Sequence, residues 1–115
     1  MTQEEKQLLI RDLCARLPYG VKLRYVEDLV VKKESHIITL NNIYLEHILN
    51  GDADIKPYLR PMNSMTEEEW SEWHDARHGR YYEDIDYVNS HHFDYRNLIE
   101  KGLALEAPED MYKTE

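Results

Sequence analysis

The chain has 115 residues, 42% of them hydrophobic and 32% charged, with a formal net charge of -9. That length fits one domain with a modest core, and the balance is too apolar for general disorder. Cys14 is the only cysteine, which excludes an intrachain disulfide or a thiolate zinc site and points to a reducing cytoplasm.

The charge is unevenly spread. Residues 1–64 carry nine Lys/Arg and nine Asp/Glu, whereas residues 65–115 carry five against fourteen. Gripping nucleic-acid phosphate needs concentrated positive charge, so the acidic half argues against direct DNA or RNA binding. The sequence shows neither the basic start and apolar run of a secretion signal nor an apolar stretch of membrane-spanning length. Nine tyrosines and two tryptophans stand against one phenylalanine, and amphipathic rings of this kind suit half-buried positions, interfaces and ligand walls.

In chain order, Thr2 with Glu5 makes a capping box, and Leu9, Ile10, Leu13, Cys14 and Leu17 form an apolar stripe, which predicts a helix over 3–17. On that stripe Cys14 reads as a small buried hydrophobe. Pro18-Tyr19-Gly20 ends the helix. A period of two follows, with Val21, Leu23 and Tyr25 on one face and Lys22, Arg24 and Val26 on the other. Two further runs, Leu29–Val31 and His36–Leu40, are separated by the polar Lys32–Ser35, and together these segments predict a small antiparallel sheet. Residues 43–49 fit a helix or a strand, and a helical turn is favoured. Pro57 and Pro61 mark Ile55–Met62 as an extended edge strand.

Thr66 and Glu69 form a second capping box, with Met65 and Trp70 placed as a staple and Gly79 as a C-cap. A short helix is expected over Asp84–His91, and Asp94 is expected to cap a final one over Tyr95–Lys101. The fold class is therefore α+β: an N-terminal helix, a small antiparallel sheet and a helical C-terminal half. Residues 1–107 read as one domain and 108–115 as a C-terminal tail open to disorder.

Two constellations could carry chemistry. His74 and His78, four apart on one helix, have the spacing of paired metal ligands, and His91 or His92 could complete a zinc or other divalent transition-metal site for a hydrolase. Histidines in a last helical turn are also what the helix dipole favours, and that reading is the preferred one. The other constellation is Lys22, Arg24, Lys56 and Arg60, joined by Lys32 and Lys33, with Tyr25, Tyr58 and Tyr19 among them. Cations interleaved with tyrosines suit an anionic, ring-bearing ligand, and the same cations could instead pair with the acidic helices of their own chain. No nucleophile elbow or phosphate-cradling glycine loop occurs, so no catalytic residue is assigned.

The segments Asp12–Lys22, Ile55–Glu69 and His91–Ala107 resemble a family of small uncharacterised proteins of gut-bacterial genomes, prophages and phages. The match covers both ends and the middle, with Glu27–Asp54 outside it. The resemblance implies a phage or prophage setting and a cytoplasmic protein, and it carries over no catalytic residue. The expectation is a non-enzymatic accessory protein that binds either an anionic, nucleotide-like small molecule, as a counter-defence protein would, or a host protein through its acidic half. No cofactor is called for on this reading, and self-association stays open.

Overall fold

In a computed structural model, which describes residues 2–28, 33–50, 54–77 and 81–112, the chain is α+β. Helix α1, Gln3–Arg16, starts where the sequence places it: the Thr2 hydroxyl accepts from the Glu5 amide at 3.1 Å and the Glu5 carboxylate accepts from the Thr2 amide at 3.0 Å. A 3-10 turn, Leu17–Tyr19, follows, and Gly20 takes the left-handed conformation (φ 70°) that releases the chain into strand β1, Lys22–Asp28.

Strand β2, Lys33–Thr39, lies antiparallel to β1 in the register Lys22↔Thr39 to Asp28↔Lys33. The polar residues 33–35, read from sequence as a separator, are therefore strand. The apolar run at 29–31 lies outside the described residues. Residues 43–49 belong to a nine-residue helix, α2, Asn42–Asn50. Strand β3, Asp54–Pro61, is antiparallel to β1 through Leu23↔Pro57 to Val26↔Asp54.

The edge position expected for this segment is corrected. Beyond Pro57, β3 pairs in parallel with β5, Leu105–Glu106, and with β4, Phe93–Asp94, so among the described strands it is the hub of a mixed sheet. Proline removes only its own N–H, and the backbone groups of neighbouring residues point to opposite sides, so a strand with prolines can still be paired elsewhere along its length.

The C-terminal half adds α3, Glu67–Arg77, and α4, Tyr81–Ser90. Thr66 and Glu69 again form a capping box, at 3.1 Å in both directions. The proposed stop at Gly79 lies outside the described residues. The helix expected over 95–101 does not form. Asn97 adopts a positive φ of 60°, which interrupts a right-handed run, and Asp94 instead caps a turn by accepting from the amides of Leu98 (2.8 Å) and Ile99 (3.0 Å).

The core lies between α1, α2 and one sheet face. Leu9, Leu13, Val21, Leu23, Leu59 and Leu98 are fully buried there, joined by Ile48 and Ile55. Cys14, expected inside, is exposed. The inward stripe of α1 continues instead through Asp12 and Arg16, both wholly buried. Arg16 Nε donates to Asp12 Oδ2 at 2.7 Å and Arg16 Nη2 to the Phe93 carbonyl at 2.6 Å, while Arg96 Nε donates to Asp12 Oδ1 at 3.1 Å. Both guanidiniums lie over the Tyr95 ring, at 5.4 and 4.9 Å. A buried carboxylate shared by two arginines holds the first helix to the segment around residue 95.

Candidate functional site: the cationic sheet face

Side chains alternate along a strand, so the face opposite the core is set by the register. Leu23 on β1 and Ile55 and Leu59 on β3 point into the core. Lys22, Arg24, Lys56, Tyr58 and Arg60 therefore share the other face. Arg24 stands directly opposite Lys56, and two residues further along, past Leu23↔Pro57, Lys22 and Tyr58 come abreast. This register concentrates positive charge on one stretch of the face. Lys22 Nζ donates to Thr39 Oγ1 at 3.1 Å across to β2, which keeps its charge on the face.

The six residues read from sequence as a ligand site separate into three groups. Lys22, Arg24, Lys56 and Tyr58 are brought together. Tyr25 is on the core side, its ring 6.0 Å from that of Tyr44 and 6.4 Å from that of His36, as its alternation with Lys22 and Arg24 requires. Arg60 is on the cationic face but engaged: both ends of its guanidinium hold Glu69 at 2.7 Å, and the group lies over the Phe93 ring at 4.2 Å. That bidentate bond, with a further one from the Thr66 amide, brings the Glu69 carboxyl down to about 2. Arg60 is a strut between β3, α3 and Phe93. Of the neighbouring cations, Lys32 lies outside the described residues.

At the end of this face the sheet is plugged by a residue that sequence reasoning did not single out. Where Lys22 and Tyr58 would exchange ladder bonds, the Tyr112 hydroxyl accepts from the Lys22 amide at 2.8 Å and donates to the Tyr58 carbonyl at 2.7 Å. Burial pushes the Tyr112 phenol up to about 12, which keeps it protonated in this role. Its ring stacks on His92 at 3.8 Å. Beside it a cleft of about 620 Å³ opens between Arg60, Glu69 and His91 on one wall and Glu106 and Glu109 on the other, with Tyr112 at its side. No local sequence pattern announces this cleft, because its second wall is the C-terminal stretch folded back on β3.

The histidines take separate partners. His74 stacks on Trp70 at 4.9 Å, one turn away on α3. His91 stacks on Tyr87 at 4.1 Å, with Nδ1 3.0 Å from the Tyr87 carbonyl. A carbonyl only accepts, so Nδ1 carries the proton there. His92 has a φ of 64°, which swings it away from its neighbour into the interior. Burial, with the charges of Arg16 and His91 adding to it, brings its imidazole down to about 4. His78 lies outside the described residues. Among the described residues no three His, Cys, Asp or Glu side chains converge as a metal would need, and no helix is long and apolar enough to cross a membrane. Comparison with family models, with curated proteins and with solved structures finds no match to this chain.

Proposed function

We propose that this protein works by binding an anionic, ring-bearing small molecule of the nucleotide class on the sheet face formed by Lys22, Arg24, Lys56 and Tyr58. The observation that carries this reading is the register that sets Arg24 opposite Lys56 with Tyr58 alongside. A phosphate arriving on this face accepts charge-assisted hydrogen bonds from Lys56 and Lys22, and the charge of Arg24 beside them adds to the attraction. Tyr58, one residue from Leu59 and two from Lys56, offers a ring for stacking at the end of the cation pair. The resemblance of the N-terminal, middle and C-terminal segments to phage and prophage proteins supports an accessory role in a mobile-element setting, where sequestering a nucleotide signal would blunt a host response.

Titration calorimetry with nucleoside phosphates is the test. Wild-type protein is expected to give a saturable heat that weakens as salt rises, and Lys56→Ala to lower the affinity about tenfold, the worth of one charge-assisted hydrogen bond. Inorganic phosphate should bind more weakly than a nucleotide, because it has no ring for Tyr58. No saturable heat, or equal heats from wild type and Lys56→Ala, overturns the reading.

A further inference from the structure

The other side of the sheet is unfinished. Strand β2 ends the strand order, and over its seven residues β1 is its one partner among the described strands. The Leu40 amide donates to the Val21 carbonyl at 2.9 Å, next in register after Lys22↔Thr39. Backbone groups alternate in direction along a strand. Even-numbered residues of β2 therefore bond to β1, and the N–H and C=O of Lys33, Ser35, Ile37 and Thr39 point outward.

Proteins usually blunt such an edge with proline, a bulge or a covering element. Residues 33–39 contain no proline, and their register with β1 runs without a bulge. Ile37, in the middle of the strand, is 61% exposed, as is Ile43 on the first turn of α2. Charge singles out this edge as well. The chain carries -9 overall, yet residues 33–39 hold one lysine and one glutamate, so two copies can approach here without the repulsion that their acidic halves would impose.

We propose that β2 is the interface of a homodimer, pairing antiparallel with β2 of a second copy across a two-fold axis at His36. In that register Lys33 meets Thr39 and Ser35 meets Ile37 of the other copy, and each relation is repeated by the symmetry. All four outward residues then exchange both of their backbone hydrogen bonds, and each Ile37 is covered by the neighbouring strand. The assembly stops at two. Once β2 is paired, the described strands that remain at the sheet's far side are two residues long, too short to template further addition. Ile37 stands opposite Arg24 and Thr39 opposite Lys22, so the two proposals share a border, but the dimer rests on the outward backbone of β2 and the ligand on the side chains of β1 and β3, and each has its own readout.

Light scattering over a millimolar-to-micromolar dilution series should show the wild-type protein moving from twice 13.8 kDa towards 13.8 kDa. Ile37→Pro removes an outward N–H from each copy and leaves the β1 ladder its donors. It should weaken the dimer about tenfold or more while the far-UV spectrum is unchanged. A cross-link gives a second readout that does not depend on that variant folding. The axis brings the two His36 Cα atoms about 4.5 Å apart, the spacing of a non-hydrogen-bonded pair and within disulfide reach. Replacing His36 with cysteine (His36→Cys), with Cys14→Ser, should give a dimeric disulfide under mild oxidation faster than Ile43→Cys in the same background. A single-chain mass at every concentration overturns the proposal. So does a dimer indifferent to Ile37→Pro, or one in which the cysteine at 36 does not cross-link.

Discussion

Asp12 is a carboxylate with no exposed surface, and it is held by Arg16, itself wholly buried, and by Arg96 from the far end of the chain. Removing a charge from water costs several kcal/mol unless its partners replace the lost hydration, so the arrangement is sensitive to losing one member. Asp12→Ala leaves the Arg16 guanidinium buried without its counter-charge. It is expected to cost about 3–5 kcal/mol in urea unfolding, and Asp12→Ala with Arg16→Met to recover much of that loss. Neither residue's burial was legible in the sequence. Their i, i+4 spacing is that of any exposed helix pair, and the apolar stripe in the sequence runs through Cys14. The inward turn of this flank is dictated by Phe93, Tyr95 and Arg96, which are some 80 residues away.

At the scale of the elements, the cleanest sequence signals were the ones that close locally. Both capping boxes form with the predicted partners, and the two-residue period at 21–26 gives β1 its buried and open faces. These features depend on neighbours within four residues. What failed, or stayed silent, depends on distant chain. The hub position of β3 requires β4 and β5, and the cleft requires the stretch beyond Pro108, expected as a tail, to lie against β3. Tyr112 shows how much one such contact does. Its hydroxyl replaces a ladder step between β1 and β3 at the mouth of the cationic face. Tyr112→Phe keeps the ring and its stack on His92 but leaves the Lys22 amide and the Tyr58 carbonyl without this partner. About 1–3 kcal/mol of stability should be lost, read by chemical denaturation, with faster hydrogen exchange at the Lys22 amide as the local signature. An unchanged exchange rate there would show that the hydroxyl is not part of the ladder.

For the molecule as a whole, His92 and Glu69 are, among the described residues, the two acid-sensitive groups with large shifts. His92 is neutral in the fold, its imidazole lowered from 6.5 to about 4, chiefly by burial. Below pH 6.5 the unfolded chain takes up a proton that the folded one refuses, so this contribution is complete above 6.5 and drains away as the pH falls towards 4. Glu69, lowered from 4.5 to about 2 chiefly by the Arg60 hydrogen bonds, contributes fully above 4.5 and loses its share as the pH falls to 2. Stability is therefore expected to be flat above neutrality with respect to these two groups and to decline in two overlapping stages. Urea midpoints measured against pH should resolve them. His92→Asn, which tolerates the left-handed backbone, should abolish the first stage and leave the second. If the slope between 6.5 and 4 survives in that variant, a group other than His92 is responsible. The sequence announces the Thr66–Glu69 box, but neither the Arg60 partner of Glu69 nor the burial of His92, which depend on the packed sheet and α3.

The link between Asp12 and Arg96 spans 84 positions, and that between Lys22 and Tyr112 spans 90. While the polypeptide is still emerging during synthesis, α1 can coil and β1 can meet β2 and β3, but the inner flank of α1 must stay hydrated. Its aspartate and arginine can leave water only once Phe93 and Arg96 have been made. The closing of this flank thus waits on residues made 84 positions later.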